Sequence, residues 1–234
     1  MIKVISFKIC PFVQRVTALL EAKSIPYEID YISLSHKPQW FLDISPTGQV
    51  PVLITDSGRA LFESEAIVEY LDEVSVPIEP GVNPEQRAID RAWAYQASKH
   101  YLVQCSAQRS ANQNTLSERT GKLGKAFGKV EKVFGDGQYF KGETISNVDI
   151  AWLPLLHRAK IIEKNTCYDF LDPYPKVKKW QTALLDTGLA EKSVSEDFEL
   201  AFTDFYLSDN TFLGAGKNCT TCDSDAVCVT NSCC

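Results

Sequence analysis

The chain opens with an apolar strand pattern that passes directly into a helical pattern, and a cysteine stands at the junction. Residues 2–5 are largely apolar and β-branched, which predicts a strand. Between residues 13 and 20 the apolar side chains recur at the spacing of one helical face. Pro11 suits the first helical position because its missing N–H needs no partner there, so Cys10 is predicted to cap the helix. This strand–turn–helix unit commits the start of the chain to a mixed α/β fold.

Cys10 is a candidate nucleophile because of this position. At a helix N-terminus the sulfur faces free backbone N–H groups and the positive end of the helix dipole, and both favour the thiolate. The thiolate is the nucleophilic form, so we interpret Cys10 as a reactive cysteine. A buried, inert cysteine is the alternative, and it is common for this residue type.

Four strands and three helices are expected in residues 1–75. Residues 27–32 predict a second strand, and its helical connection to the first makes the pair parallel. A short helix follows at 37–44 and a turn-rich loop at 45–49. Residues 50–54 and 60–62 predict two further strands, joined by a hairpin turn, before a helix that opens at Glu63-Ser64. Residues 1–75 are thus predicted to form a compact domain with a mixed sheet.

The second half of the chain is predicted to be all-helical. Residues 76–83 contain two prolines and a glycine, which indicates a linker between domains. Ser146 and Asp149 have the spacing of a capping box at a helix start. The fold class is therefore α/β plus all-α, with a helical domain at 84–207. Its helices are predicted at 84–109, 115–134, 146–162, 175–186 and 190–206.

Charge and cysteine distribution limit the class of protein. The net charge of −6 argues against a nucleic-acid partner, and no apolar run is long enough to cross a membrane. The sequence begins directly in a strand, without a signal peptide, and only three of the eight cysteines precede residue 208. We therefore expect a cytoplasmic protein.

The last 27 residues, 208–234, differ from the rest and are expected to form a disordered tail. They are polar, lack periodicity and hold five cysteines. Thiolates at short spacing suit a soft metal such as zinc or copper(I), so a metal site, a redox reserve and an unstructured extension are the three interpretations. No metal site is predicted in residues 1–207. The five tail cysteines are Cys219, Cys222, Cys228, Cys233 and Cys234.

Four short motifs, in order, carry a resemblance to a known family. They are Cys-Pro-Phe at 10–12, Lys-Pro-Gln-Trp-Phe at 37–41, Gly-Gln-Val-Pro-Val-Leu at 48–53 and Phe-Glu-Ser at 62–64. Together they resemble the cytosolic glutathione transferases, most of all the omega class, and plant lambda-class and dehydroascorbate-reductase enzymes share the first motif. The resemblance covers residues 1–206. It implies a thioredoxin-like N-terminal domain, an all-helical C-terminal domain and a homodimer.

The resemblance also implies a glutathione site, with glutathione as the co-substrate. Glu63 would meet the γ-glutamyl ammonium, and the Ser64 hydroxyl at the helix N-terminus would meet the γ-glutamyl carboxylate. The backbone of Val50, followed by a cis bond to proline, would pair with the cysteinyl part of glutathione. Lys37 would lie near the glycine carboxylate, and Phe12 would form a wall of the site.

The expected chemistry is thiol–disulfide exchange. Most glutathione transferases hold the glutathione thiolate with Tyr or Ser, whereas Cys10 occupies that place here and can form a mixed disulfide with glutathione. Position 13 is Val, so no second cysteine lies in the turn. This predicts a monothiol cycle on a small oxidised or glutathionylated substrate, such as dehydroascorbate, and weak conjugation to electrophiles. The second substrate is expected against the helical domain, near aromatic residues such as Trp93, Tyr101 or Trp152, for which a place in the hydrophobic core is the alternative.

A protein of this fold that binds a partner without catalysis is the alternative function. The stringent starvation proteins, which resemble glutathione transferases and contact RNA polymerase, are of that kind. A pure binding protein has no need of the full set Cys10, Lys37, Glu63 and Ser64, so the intact set favours the enzyme.

Overall fold

A four-stranded mixed sheet with three helices forms the N-terminal domain of the computed structural model, which describes residues 1–216. The sheet has the order β2-β1-β3-β4. β1 is parallel to β2, as the helical connection predicts, whereas β3 is antiparallel to both β1 and β4. The elements are β1 (Ile2–Ser6), α1 (Pro11–Ala22), β2 (Tyr27–Tyr31), α2 (Gln39–Ile44), β3 (Val52–Ile54), β4 (Ala60–Phe62) and α3 (Ser64–Glu73).

The helical domain starts after the predicted linker, and side-chain caps fix several of its helices. Asn83 accepts a hydrogen bond from the Gln86 N–H at 2.9 Å, and Asn112 accepts one from the Thr115 N–H at 3.0 Å. The helices are α4 (Pro84–Gln108), α5 (Gln113–Val133), α6 (Asn147–Thr166), α7 (Pro175–Leu185), α8 (Leu189–Lys192), α9 (Phe198–Tyr206) and α10 (Phe212–Ala215).

The predicted helix 190–206 is two helices in the structure. A turn at 193–197 separates α8 from α9. The Ser193 carbonyl leaves the helical ladder and accepts a hydrogen bond from the Thr17 hydroxyl of α1 at 2.7 Å. The break is therefore set by a contact with the N-terminal domain, which helical periodicity does not encode.

The first nine residues of the expected tail belong to the folded domain. Residues 208–216 include α10, whose first turn is capped by a hydrogen bond from the Gly214 N–H to Thr211 Oγ1 at 3.0 Å. Leu213 is buried, and the Phe212 N–H donates to the Ser110 carbonyl at 2.8 Å. A single helical turn is too short to show periodicity, which is why the sequence pattern missed it. The remaining tail residues, with all five tail cysteines, lie outside the described residues.

Helix α6 forms the centre of the helical domain and also contacts the N-terminal domain. Its residue Trp152 is fully buried and packs against Trp180 of α7, at a ring-centroid distance of 5.9 Å. The α1 face of the N-terminal domain packs on α6, where Gln14 Nε2 and His157 Nδ1 lie 2.9 Å apart. No helix within residues 1–216 is both long and apolar enough to cross a membrane.

Candidate active site

The sheet register brings most of the predicted site residues to one edge of the N-terminal domain. Ile5 of β1 pairs with Val52 of β3, and Val52 pairs with Phe62 of β4. The end of β1, the start of β3 and the end of β4 therefore meet at the same edge. Cys10 follows β1, the Val50–Pro51 bond precedes β3, and α3 begins directly after β4.

Cys10 is the N-cap residue of α1, as predicted from its place before Pro11. Its backbone is extended, with φ −76° and ψ 121°, and its carbonyl accepts the Gln14 N–H at 3.1 Å. Its own N–H donates to the Phe7 carbonyl at 3.0 Å. The thiol is unoxidised, half-buried and forms no capping hydrogen bond. The turn thus places the sulfur at the N-terminus of α1, near the N–H groups of Phe12 and Val13.

Burial has the largest effect on the Cys10 thiol, and it opposes the helix N-terminus. Desolvation raises the pKa of Cys10 to about 11, whereas the N–H groups of Val13 and Phe12 and the charge of Arg158 lower this pKa. The helix N-terminus thus favours the thiolate, as expected, but the effect of burial on the pKa of Cys10 is larger and favours the thiol. The helical domain covers the turn, and residues far away in the sequence supply that burial.

Arg158, from α6, is the cation that the helical domain contributes. Its guanidinium is fully buried and donates to Gln14 Oε1 and, at 3.2 Å, to the Ile9 carbonyl. The Phe198 ring lies 5.2 Å from the guanidinium carbon. Within the described residues its hydrogen-bond partners are thus neutral. Its charge remains available to stabilise a thiolate on Cys10, whose pKa it lowers.

Phe12 lies between Cys10 and the helical domain. Its half-buried ring meets the ring of Tyr101 from α4 edge-to-face, with centroids 5.0 Å apart. Tyr101 is itself fully buried, and its hydroxyl donates to the Ala151 carbonyl. The expected wall at Phe12 therefore has an aromatic partner. Of the three aromatic residues named for the second substrate, Tyr101 and Trp152 are fully buried core residues, and Trp93 packs against Phe140 at a ring-centroid distance of 5.5 Å.

Glu63 and Ser64 stand together at the N-terminus of α3. Glu63 is the N-cap residue and has a φ of 67°, a conformation that is rare for a residue with a Cβ atom. Strained backbone of this kind concentrates at ligand-binding sites. Its carboxylate is exposed, whereas Ser64 is 4% exposed, and neither side chain has a hydrogen-bond or ion-pair partner within residues 1–216. An unpaired acid beside an unpaired hydroxyl suits a ligand that carries both an ammonium and a carboxylate.

Lys37 and Val50 lie at the two ends of the segment that leads into β3. The Lys37 ammonium is exposed and donates to the Gly48 carbonyl at 2.7 Å, so it reaches the loop that precedes Val50. Val50 is half-buried, and its bond to Pro51 is cis, as expected. Both residues therefore adjoin the same loop, next to the edge where Cys10 and Ser64 lie.

We expect alkylation of Cys10 by iodoacetamide to accelerate with pH. Because the pKa of Cys10 is raised to about 11, its thiolate fraction grows about tenfold for each pH unit below that value. The measurement is the rate of modification of the tryptic peptide 9–15, followed by mass spectrometry between about pH 6.5 and 9. A rate that already levels off near pH 7 would show a thiolate and contradict the dominant role of burial.

Several residues around Cys10 have no local motif. Four of them come from the helical domain, and three of these affect the pKa of the fourth, Arg158: the three are Tyr101, Tyr206 and Cys105. Only one of them left a signal in the sequence. The middle of α6 is apolar on almost every side, so a charge at Arg158 within it indicates a buried cation.

Comparison with known proteins finds matches to two family models and to several relatives. The family model for the glutathione S-transferase N-terminal domain matches residues 9–74, and the model for the C-terminal domain matches 82–186. Glutathione S-transferase omega-1 from Sus scrofa is 32% identical over 218 residues, which cover 90% of this chain and 88% of the relative. Glutathione S-transferase DHAR2 from Arabidopsis thaliana is 34% identical over 154 residues, 65% of this chain and 68% of the relative.

A solved structure shows the same fold. Glutathione transferase Omega 3C from Trametes versicolor superposes with a TM-score of 0.72 at 26% identity, and the match covers 83% of this chain and 89% of that one. The thioredoxin-like domain and the helical domain expected from the motifs are thus confirmed. On these matches, the chain belongs to the glutathione S-transferase family.

Proposed function

We propose that this protein is a glutathione-dependent thiol transferase of the dehydroascorbate-reductase type, acting through a mixed disulfide between Cys10 and glutathione. The observation that carries the proposal is a free, half-buried cysteine at the N-cap of α1, at the sheet edge shared with Ser64 and the cis Val50–Pro51 bond. The relatives support it, since the chain is 32% identical to glutathione S-transferase omega-1 and 34% identical to glutathione S-transferase DHAR2.

The γ-glutamyl end of glutathione fits the start of α3. The Glu63 carboxylate pairs with its ammonium, and the Ser64 hydroxyl and the free N–H groups of the helix bind its carboxylate. Both side chains lack a partner within residues 1–216, so binding displaces no existing contact. The Glu63 backbone, with its φ of 67°, is already held in the conformation that exposes the carboxylate.

The rest of glutathione would extend from α3 toward Cys10. The Val50 backbone pairs with the cysteinyl unit in the manner of an added strand. Lys37 faces the glycine carboxylate and can exchange its hydrogen bond to Gly48 for a charged partner. Phe12, against Tyr101, forms the apolar wall beside the sulfur atoms.

The reaction needs the Cys10 thiolate, which burial disfavours by raising the pKa of Cys10 to about 11. The thiolate attacks the glutathione sulfur of a glutathionylated substrate, the substrate leaves as a thiol, and Cys10 becomes the mixed disulfide. Free glutathione then attacks that disulfide and leaves as oxidised glutathione. The N–H groups of Val13 and Phe12 and the Arg158 charge stabilise the sulfur anion when it forms and when it leaves.

We expect Glu63→Ala and Ser64→Ala each to weaken glutathione binding. Each change removes one contact to a charged group of the γ-glutamyl zwitterion, which costs about 1.5–3 kcal/mol, or about 10- to 100-fold in Kd. Calorimetric titration with glutathione measures the change. Glu73→Ala, at the other end of α3, is the matched control and should bind as the unmodified protein does. Unchanged affinity in both site variants would refute this map of the site.

An activity comparison separates the enzyme from a non-catalytic binding protein. The purified chain is assayed for glutathione-dependent reduction of a glutathionylated peptide and of dehydroascorbate, and for conjugation of glutathione to an aryl chloride. The proposal predicts that both reductions exceed conjugation. Binding of glutathione without either reduction would favour the binding protein.

The proposal includes a small oxidised or glutathionylated second substrate, a homodimer and a cytoplasmic location. A free thiol that must cycle through a disulfide is maintained in a reducing compartment, which supports the location. The dimer follows from family membership, and light scattering coupled to size exclusion tests it: a monomer mass at micromolar concentration would contradict it.

A further inference from the structure

A second free thiol, Cys105, lies on α4, the first helix of the helical domain, which packs on α1. We propose that Cys105 is the resolving cysteine for Cys10, so that glutathione bound to Cys10 is expelled by an inter-domain Cys10–Cys105 disulfide. This inference rests on the proposed function and adds a dithiol branch to its monothiol cycle.

The packing of α4 on α1 places Cys105 on this side of the helix. The ring of Tyr101 meets the ring of Phe12, two residues beyond Cys10, at 5.0 Å. Side chains four residues apart on a helix lie one above the other, so Cys105 stands one turn beyond Tyr101 on the same face. Both thiols are half-buried, and both pack against the same apolar cluster.

Helix α6 lies beside both thiols, because Arg158 donates to the Ile9 carbonyl next to Cys10 at 3.2 Å, and Gln104, next to Cys105, donates to the Leu155 carbonyl of α6 at 2.9 Å. A charge on Cys105 raises the pKa of Cys10, and Arg158 interacts with both sulfur atoms. One buried guanidinium can therefore stabilise whichever of the two sulfurs carries the negative charge. The Tyr206 hydroxyl from α9 also adjoins Cys105 and interacts with Cys10. Cys105 therefore interacts with the Tyr206 hydroxyl and with the Arg158 cation, whereas an isolated core cysteine has no such neighbours.

Cys167, the third described cysteine, provides the internal comparison. It caps the C-terminal end of α6. Nine residues separate it from Arg158 on that helix, which is about 13 Å at 1.5 Å per residue. Arg158, which interacts with Cys10 and Cys105, therefore lies far along the helix from Cys167. Cys167 therefore serves as a matched cysteine away from the site.

The resolving step balances as a thiol–disulfide exchange. The Cys105 thiolate attacks the Cys10 sulfur of the mixed disulfide; the bond between Cys10 and glutathione breaks, and the Cys10–Cys105 bond forms. Glutathione leaves as a thiolate and takes up the proton that Cys105 released. One glutathione then attacks the Cys10–Cys105 disulfide and forms a mixed disulfide with one of the two cysteines. A second glutathione attacks this mixed disulfide, which frees the cysteine and releases oxidised glutathione. The net reaction is unchanged, because one glutathione is regenerated in the resolving step.

Peptide mapping of the full chain tests the pairing. The reduced protein is exposed to oxidised glutathione, blocked with N-ethylmaleimide and digested with trypsin without reduction. The inference predicts a disulfide between peptide 9–15 and peptide 100–109, and little glutathione on peptide 9–15. A disulfide forms only when two Cα atoms come within about 7 Å, so the cross-link reports directly on the approach of the two helices.

Three variants make the result decisive. In Cys105→Ser the glutathione adduct on peptide 9–15 should persist, at least about tenfold above its level in the unmodified chain, because nothing displaces it. If Cys105→Ser disturbs folding, Cys105→Ala takes its place as the second variant, and the adduct should persist in it as well. Cys167→Ser should retain the cross-link.

The outcomes separate this inference from the proposed function. An equally persistent adduct in the unmodified chain and in Cys105→Ser, or a cross-link from peptide 9–15 to any other cysteine, overturns the resolving role and leaves the thiol transferase intact. A peptide 9–15 that keeps its free thiol throughout contradicts both.

Discussion

Cys10→Ser is expected to lose more than about 100-fold of the thiol-transfer and dehydroascorbate-reductase rates. Disulfide exchange requires a sulfur nucleophile, and a serine hydroxyl keeps its proton at neutral pH. The loss should appear in kcat, because the residues that hold glutathione are unchanged. Steady-state assays with a glutathionylated peptide and with dehydroascorbate measure both rates.

The control for Cys10→Ser is Cys167→Ser, which should keep full activity. Cys10→Ser should retain glutathione binding and the native circular dichroism spectrum, since the thiol forms no capping hydrogen bond that the fold depends on. It should also gain conjugating activity, because a serine there can hold the glutathione thiolate by a hydrogen bond. Thiol transfer at the original rate in Cys10→Ser would remove Cys10 from the mechanism.

Asp149→Ala is expected to lower the free energy of unfolding by about 3–5 kcal/mol. The buried Asp149 carboxylate accepts four hydrogen bonds: from the Ser146 N–H at 2.8 Å, the Ser146 hydroxyl, the Phe140 N–H at 2.9 Å and the indole Nε1–H of Trp180 at 2.6 Å. Alanine leaves these buried donors without an acceptor. Urea denaturation followed by tryptophan fluorescence measures the loss.

Two variants show whether the cost comes from those donors. Asp149→Asn keeps one carbonyl acceptor and should lose less stability than Asp149→Ala. Asp204→Ala, at an exposed position on α9, should change stability by less than about 0.5 kcal/mol. If Asp149→Ala unfolded at the same urea concentration as Asp204→Ala, the capping box would not stabilise the start of α6 as the contacts indicate.

Local signals in the sequence predicted much of the first domain and part of the second. The strand, the turn at Cys10 and the helix led by Pro11 lie within twenty residues of one another, and each has its own residue preference. The Ser146–Asp149 box is confirmed in full, because both of its hydrogen bonds join residues three positions apart. The cis bond before Pro51 was expected from the family motif and is also present.

Features that depend on distant residues were not predictable. The burial that raises the pKa of Cys10 comes from helices 90 to 200 residues away, so the turn alone suggested the opposite direction. The break between α8 and α9 follows a hydrogen bond to Thr17, in the other domain. Arg158 and Cys105 meet at the site only after α4 and α6 have packed on α1. Neither residue lies in a sequence motif that predicts its position in the fold.

If Cys10 is the nucleophile, the loss of activity must follow the modification of its thiol one for one. The protein is alkylated with iodoacetamide for increasing times, and the remaining thiol-transfer activity is plotted against the modified fraction of peptide 9–15. We expect a straight line that reaches zero activity at one label on Cys10, with bound glutathione slowing both changes equally. Full labelling of Cys10 with activity remaining, or complete inactivation while peptide 9–15 is unlabelled, would contradict it.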